Sequence, residues 1–213
     1  ADDYTILVTD NNGCAETLVS TIDQPAAPLA ITGIVNDVNC YGLNDGAIDA
    51  TVTGGTINYS YSWSSGQGTE DLNGVVSGDY TLDVTDLNGC TESATFTIIQ
   101  PAEPLNIITF TTDVLCFGGT TGSIDSEVTG GTSPYAYDWS GGETTVGIED
   151  QLAGIYTLTI TDDQGCTAFT GATILEPTQL VLSSVVTDAS CFEYDDGEIV
   201  ITIVGGIAPY FLN

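Results

Sequence analysis

The sequence predicts an all-β protein built from tandem immunoglobulin-like or fibronectin III-like antiparallel β-sandwich repeats of about 76 residues. One motif occurs three times, and its tyrosine and final cysteine recur every 76 residues, at Tyr4, Tyr80 and Tyr156 and at Cys14, Cys90 and Cys166. Self-similarity at a fixed period indicates a repeat architecture. Between the copies, short segments with an apolar residue at every second position are bounded by Gly, Pro, Asn and Asp. This pattern is typical of antiparallel strands joined by turns.

A proline recurs at the same position in every 76-residue repeat and marks the repeat boundaries, at Pro25, Pro101 and Pro177. Proline cannot donate to a strand ladder, and it stiffens a linker. We therefore predict complete repeats at 29–104 and 105–180, the C-terminal part of a repeat at 1–28 and the N-terminal part of another at 181–213. We expect the chain to be a section of a longer array, and neither partial repeat to close a sandwich alone.

The strands of the first complete repeat follow in order from the alternation of apolar residues. A strand over Leu29–Val38 leads to Cys40, and the next strand lies between the turns at Asn44–Gly46 and Gly54–Gly55. Later strands present these sets on one face each: Tyr59, Tyr61 and Trp63; Tyr80, Leu82 and Val84; Ala94, Phe96 and Ile98. A short strand is expected near Thr69–Leu72, but the stretch 64–72 is ambiguous, so the strand count stays open. The second repeat follows the same plan.

The aromatic rows that end at Trp63 and Trp139 are interpreted as core residues. Side chains at every second strand position point to one side of a sheet, and a row of aromatics usually faces the core. The alternative is a strip on which sugars stack. Exposed aromatic side chains are instead expected just after a loop cysteine, at Tyr41, Phe117 and Phe192.

Tyr80 and Tyr156 are interpreted as structural residues. Each follows a Gly-containing corner and opens a late strand, at Val76–Tyr80 and Leu152–Tyr156. This is the pattern of a tyrosine corner, in which the hydroxyl bonds back to the backbone a few residues upstream.

The charge balance excludes several classes of function. The chain has 30 Asp and Glu residues and no Lys, Arg or His. Without cationic side chains it cannot clamp phosphates, so nucleic acid is excluded as a partner, and no apolar run approaches the roughly 20 residues of a membrane span. Compositional drift and selection against Lys/Arg-directed proteases both remain open as explanations of the missing cations.

The sequence also argues against an enzyme. Because the chain has no His and no Lys, it lacks the usual general bases and activated nucleophiles. Pairs of carboxylates remain, but a glycosidase needs them in one shaped cleft, which near-identical repeats do not offer. We expect no catalytic residues.

A weak calcium site is considered at the turn that precedes each hairpin cysteine. Asp10, Asp86 and Asp162 occupy that turn, with Asn12 and Asn88 beside the first two. A calcium ion takes six or more oxygen ligands, and this spacing supplies only two or three. The alternative, which we favour, is that the Asp caps its own turn through hydrogen bonds to the backbone. We expect no cofactor other than this candidate ion.

Six cysteines recur at repeat-locked positions: Cys14, Cys40, Cys90, Cys116, Cys166 and Cys191. They lack the close spacing of metal ligands, so we expect disulfides formed in an oxidising compartment. With an even number of strands, Cys40 and Cys90 become neighbours within one repeat, as do Cys116 and Cys166. With an odd number they lie at opposite ends, about 25 Å apart, and Cys40 faces Cys166 across the repeat junction. We favour the pairing within a repeat.

Four segments together resemble the SprB repeat: Cys40–Ile48, Val52–Thr56, Tyr59–Ser64 with its Trp63, and Gly78–Cys90. That family builds giant surface adhesins of gliding Bacteroidota, so the resemblance implies a cell-surface filament that is exported by the type IX secretion system and moved by the gliding machinery. The second repeat departs from the pattern at Gly118–Gly122, where the first has Asn44–Gly46.

These features lead to the expectation of an extracellular stalk in a cell-surface adhesin, which spaces a binding tip from the cell and transmits force. Its expected partners are neighbouring repeats of the same chain, the gliding and secretion machinery, and a surface polysaccharide or the substratum. Two alternatives stay open: a glycan-binding module whose repeats supply avidity, and a passive filament or sheath subunit that assembles from chain to chain.

Overall fold

The computed structural model describes residues 1–212 and confirms the all-β prediction. Within that range the protein has 16 strands and no helix, and so no helix that is long and apolar enough to cross a membrane. The chain divides into two compact units, Ala1–Gln100 and Pro101–Asn213. Each unit contains one complete sandwich and one separate hairpin.

The first complete repeat consists of two three-stranded antiparallel sheets, of order β3-β4-β6 and β5-β7-β8. Its strands are β3 (Ala30–Asn36), β4 (Gly46–Thr53), β5 (Ser60–Trp63), β6 (Leu72–Val75), β7 (Gly78–Thr85) and β8 (Thr91–Ile98). The alternating apolar residues of both sheets meet in one core that includes Ile48, Trp63, Leu72, Leu82 and Val84. The short strand predicted near Thr69–Leu72 begins only at Leu72.

The second complete repeat has the same architecture, with sheets of order β12-β10-β9 and β11-β13-β14. Its strands are β9 (Asn106–Thr112), β10 (Gly122–Thr129), β11 (Ala136–Trp139), β12 (Ile148–Gln151), β13 (Gly154–Thr161) and β14 (Thr167–Ile174). Its core contains Ile124, Trp139, Ile148, Leu158 and Ile160. The two sequences therefore place equivalent apolar residues at equivalent positions.

Strands β5 and β6 together make one passage along the sandwich, because each is only four residues long. Strand β5 pairs with the second half of β7, and β6 pairs with the first residues of β4. The chain thus changes sheet halfway along and crosses the repeat five times rather than six. An odd number of crossings puts the start of β3 and the end of β8 at opposite ends, which we call the entry end and the exit end.

The remaining strands form two isolated hairpins. Strand β1 (Asp2–Thr9) pairs with β2 (Ala15–Ile22), and β15 (Val181–Thr187) pairs with β16 (Glu198–Val204). Nearly every residue of these strands is exposed. They correspond to the last and the first hairpin of a complete repeat, and in this structure neither has an opposing sheet.

The two cores differ at one packing contact between the sheets. In the first repeat, a Cβ atom at Gly33 would lie 2.8 Å from Cε1 of Phe96, so the aromatic ring occupies the space above the glycine. The second repeat has Thr109 and Ala172 at these positions, 76 residues on. A large side chain on one sheet is thus matched by a small one on the other, which keeps the core filled without overlap.

Candidate functional site at the repeat ends

The entry end of the first repeat is organised by the buried carboxylate of Asp86, which is only 4% exposed. Its Oδ1 accepts the backbone N–H groups of Asn88 and Cys90 at 2.9 and 2.8 Å. Its Oδ2 accepts the N–H of Thr56 at 2.9 Å. The N–H of Thr56 foremost, with those of Cys90 and Asn88, lowers the pKa of Asp86 below its ordinary value against the opposing effect of burial. The carboxylate thereby joins the hairpin to the turn that follows β4.

The second repeat reproduces this arrangement at Asp162. Oδ1 accepts the N–H groups of Gln164 and Cys166 at 3.0 and 2.8 Å, and Oδ2 accepts that of Thr132 at 2.8 Å. The exposed hairpin β1–β2 retains the local bonds from Asn12 and Cys14 to Asp10.

These contacts are those of the turn-capping interpretation rather than of a calcium site. Both carboxylate oxygens of Asp86 face N–H donors, and the side-chain amide of Asn88 donates to the hydroxyl of Thr56 at 2.9 Å. No group of three or more His, Cys, Asp and Glu residues among residues 1–212 is placed to hold a metal ion. The structure therefore places hydrogen-bond donors where a cation would need ligands.

The linker that precedes each repeat is fixed to the same entry end. The N–H of Gly55 donates to the carbonyl oxygen of Ala27 at 2.9 Å, and that of Gly131 donates to Glu103 at 3.1 Å. Gly54 has a positive φ of 74°, and a Cβ there would collide with the carbonyl of Pro28. The Gly-Gly turn is thus required both for its backbone conformation and for the close approach of the linker.

The exit end of the first repeat carries the loop of Cys40, which is fixed to the start of the next linker. The N–H of Val38 donates to the carbonyl oxygen of Ile99 at 2.9 Å. In return, the N–H of Ile99 donates to the carboxylate of Asp37 at 2.8 Å. The N–H of Gly42 donates to Oε1 of Gln100 at 2.9 Å. The cysteine loop and the start of the linker therefore form one hydrogen-bonded structure.

The loop of Cys116 repeats these contacts in the second repeat, with bonds from Val114 to Leu175 at 2.9 Å and from Gly118 to Oε2 of Glu176 at 2.7 Å. The roles of Gln100 and Glu176 were not predicted from the sequence. The available signal was a side chain with an acceptor oxygen immediately before each boundary proline.

Two of the six cysteines, Cys40 and Cys166, are disulfide-bonded. The free thiols are exposed and belong to Cys14, Cys90, Cys116 and Cys191. The favoured pairing within a repeat, Cys40 with Cys90 and Cys116 with Cys166, is therefore wrong. The physical reason is the odd number of crossings, which places the Cys40 loop at the exit end and the Cys90 hairpin at the entry end.

The aromatic rows are engaged with their own repeat. Trp63 and Trp139 are each 2% exposed, and their indole N–H groups donate to the carbonyl oxygens of Thr69 and Thr145 at 3.0 and 2.9 Å. The hydroxyls of Tyr59 and Tyr135, at the start of each row, donate to the carbonyls of the Gly-Gly turns at 2.6 and 2.7 Å. The rows are thus half-buried to buried, and they do not form a strip for sugar stacking.

Tyr80 and Tyr156 make the contact expected of a tyrosine corner. The hydroxyl of Tyr80 donates to the carbonyl oxygen of Val76 at 2.9 Å, and that of Tyr156 donates to Leu152 at 3.0 Å. Both bonds span four residues and fix the turn at the exit end.

The aromatic residues that follow the loop cysteines are exposed in all three copies. Tyr41 is 48% exposed, Phe117 is 52% exposed and Phe192 is 90% exposed. The hydrogen bonds that hold the cysteine loop differ between the two repeats. In the first loop the carboxylate of Asp45 accepts hydrogen bonds from Asn39, whereas in the second the hydroxyl of Thr121 accepts the N–H of Leu115.

Comparison with known proteins finds a repeat-family model that matches parts of this chain. The sequence model of the SprB repeat matches three segments of the chain, at residues 32–68, 108–144 and 183–211. A search of curated proteins returns no match. One similar solved structure is the crystal structure of a tetra-tandem repeat in the extending region of a large adhesion protein. It is 14% identical, with 95% of this chain and 70% of that chain covered, at a TM-score of 0.28.

Proposed function

We propose that this chain, in which three segments match the SprB repeat, is a stalk segment of a giant cell-surface adhesin. In this proposal each repeat spaces the binding region from the cell and transmits force along the chain. The observation that carries the proposal is that the chain enters each complete repeat at one end and leaves it at the other. A module with this topology lengthens a stalk by its full strand length.

The strand register supports a role under tension. A pull on the two ends of the first repeat draws β3 and β8 in opposite directions along their own axes. Each strand is therefore sheared lengthwise against the strand to which it is hydrogen-bonded. Seven residue pairs join β3 to β4, and eight join β7 to β8. Force along the strands loads the ladder hydrogen bonds together instead of opening them one at a time. The same registers occur in the second repeat, between β9 and β10 and between β13 and β14.

The composition supports a place outside the cell. The chain has 30 acidic side chains and no Lys or Arg, so its surface stays solvated and repels other copies of itself. It also offers no peptide bond to proteases that cleave after Lys or Arg. Both properties suit a long surface filament.

We further propose that the adhesin serves gliding motility, which is the role that the SprB family implies. The test is to coat beads with antibody against this repeat and to track them on live source cells. Directed travel of the beads along the surface is expected. Beads that bind and stay in place would contradict the gliding role and leave a passive stalk, and beads that bind only permeabilised cells would contradict the surface location.

A glycan-binding module remains a second candidate, because Tyr41, Phe117 and Phe192 are exposed at one loop position in all three copies. Exposed aromatic rings are common sugar-stacking groups. This candidate predicts that immobilised surface polysaccharide from the source cells retains the wild-type chain and that the triple variant Tyr41→Ala, Phe117→Ala and Phe192→Ala abolishes retention. Equal retention of both proteins, or of neither, would contradict it.

A further inference from the structure

We propose that the outer face of strand β14, in the second complete repeat, is a docking surface for a second copy of this chain. The two copies meet face to face about a two-fold axis, with Phe169 of each copy over Gly171 of the other. The inference concerns contacts between chains, and it holds whether or not the protein is an adhesin.

The outer face of β14 combines one large apolar side chain with one recess. Every second residue of the strand is exposed, and the residues between them are half-buried or buried. The exposed positions are Thr167, Phe169, Gly171 and Thr173. Phe169 is 70% exposed, and the next outward position along the strand is the glycine. The face therefore presents a projecting ring beside a gap in the row of side chains.

The fold around Gly171 leaves room for a side chain. Its φ is not in the positive range, and a Cβ atom there would lie 4.0 Å from the nearest atom beyond its chain neighbours, the carbonyl oxygen of Tyr156. A glycine inside a strand weakens the strand, and it often marks a place where another molecule approaches closely. The equivalent positions of the other two hairpins have Thr95 and Val19, which suit a strand better. The glycine is therefore explained by something outside the repeat.

An aromatic ring above a glycine is a contact that this protein already uses between its own sheets. In the first repeat, Phe96 occupies the space that a Cβ atom at Gly33 would take, since that atom would lie 2.8 Å from Cε1 of the ring. Phe169 and Gly171 have the same two shapes, but both are on the exposed side of their sheet. A second sheet packed on this side, at the usual spacing of about 10 Å, would bring a ring into the recess.

Two-fold symmetry makes this face complementary to itself. When two β14 strands pack antiparallel about an axis through Thr170, Phe169 of each copy lies opposite Gly171 of the other. The same axis places Thr167 of each copy opposite Thr173 of the other. Each outward residue then faces one that fits it, which is the property of an isologous interface. This self-complementarity selects a second copy of the chain as the occupant.

The charge distribution permits the same contact. The chain has 30 acidic side chains and no Lys or Arg, so two copies repel each other wherever their carboxylates come close. Strands β13 and β14 contain no charged residue, and Asp138 on the same face lies two strands away from β14. The equivalent strands of the first repeat contain Asp79, Asp83 and Glu92. The second repeat can therefore approach a copy of itself at a face where the first repeat would meet repulsion.

The size of the face makes this a weak contact. The sheet β11-β13-β14 has strands of up to eight residues, and it presents about 350 Å² per copy from the rise and spacing of its strands. The total of about 700 Å² is below the roughly 1,200 Å² of stable complexes. We therefore expect association at high protein concentration. Where chains lie side by side and the contact occurs more than once, the contacts reinforce one another.

Sedimentation equilibrium of the full chain tests the contact, at an ionic strength where the Debye length is about 8 Å. The average mass is expected to rise from monomer towards dimer with concentration. Gly171→Thr fills the recess and is expected to raise the dissociation constant about tenfold or more. The same variant should keep or raise the urea midpoint of the second repeat, because the added side chain has room and suits a strand. Thr95→Gly, the reverse change in the first repeat, is the matched control and is expected to leave association unchanged.

Two results would overturn the proposal. One is association of equal strength in the wild type and in Gly171→Thr, which would locate the contact on another surface, such as the exposed hairpins β1–β2 and β15–β16. The other is a wild-type chain that stays monomeric at every concentration. If such a monomer is retained by immobilised surface polysaccharide and Phe169→Ser abolishes the retention, the occupant of the face is a glycan.

An exchange of the two shapes tests the two-fold arrangement itself. Phe169→Gly removes the ring from both copies, and Gly171→Phe places rings opposite rings, so each variant alone is expected to stay monomeric. In an equimolar mixture, the two rings of one variant face the two glycines of the other, and a heterodimer is expected. The fluorescence of Trp139 shows that each variant is folded before mixing. A mixture that associates no more than the separate variants would overturn the proposal.

Discussion

Replacement of Asp162 tests whether this carboxylate holds the entry end of the second repeat together. Asp162→Ala removes the acceptor of the N–H groups of Thr132, Gln164 and Cys166. A buried donor left without a partner costs about 1–3 kcal/mol. Water reaches part of the hairpin after the truncation, so we expect a total loss of about 3 kcal/mol. A repeat of this length has a free energy of unfolding of only about 4–11 kcal/mol, so the loss is a large fraction of it.

Asp162→Asn separates the two functions of the carboxylate. The amide retains one oxygen for the N–H groups of Gln164 and Cys166, but its NH₂ group then faces the N–H of Thr132. We expect a loss of about 1–2 kcal/mol, which is smaller than that of the alanine variant. Asp163→Ala is the matched control, because Asp163 is exposed and contributes its backbone N–H, not its side chain, to Thr132.

The assay is urea unfolding followed by tryptophan fluorescence in a Trp63→Phe background. The chain has two tryptophans, so Trp139 alone then reports the second repeat. With a slope of about 1 kcal/mol per M for so small a unit, the midpoint is expected to fall by about 3 M for Asp162→Ala and by about 1–2 M for Asp162→Asn. A midpoint for Asp162→Ala within about 0.5 M of the Asp163→Ala control would refute this reasoning. If Asp162 bound calcium instead, CaCl₂ would raise the wild-type midpoint above that in NaCl of equal ionic strength.

Three further predictions use the same unfolding assay on the first repeat, in a Trp139→Phe background. Gly33→Thr is expected to cost about 1–3 kcal/mol by overlap with Phe96, and distinctly less in a Phe96→Ala background; an equal cost in both would contradict the proposed contact. Tyr80→Phe removes the hydrogen bond to Val76 and is expected to cost about 1 kcal/mol, whereas an unchanged midpoint would show that the corner adds no stability. The folded pKa of Asp86 lies below its unfolded value, so its stabilising effect is present above about pH 4 and is lost as the pH falls through the folded pKa. The stability difference between wild type and Asp86→Asn should therefore shrink with acidification, and a difference that grows would contradict the direction of the shift.

The sequence alone indicated the strands, the core and the local turns, because these depend on nearby residues and a short period. The alternation of Ile48, Ala50 and Val52 predicted one buried face, and the first two are at most 4% exposed. The Gly-containing corner before Tyr80 likewise predicted a hydrogen bond from the tyrosine hydroxyl back to the backbone, and the structure has it at the carbonyl of Val76. The position of Asp86 before Gly89 and Cys90 was sufficient to favour a capped turn.

Only the tertiary structure decided which elements meet at the same end of a repeat. Whether the short strands β5 and β6 count as one crossing or two depends on their pairing with β7 and β4, which are distant in sequence. That pairing separates Cys40 from Cys90, and it brings Thr56 to Asp86 across 30 residues. The 76-residue period therefore determined which residues are equivalent, whereas the sheet pairing decided which of them are neighbours, because alternation along a strand specifies its faces but not its partners.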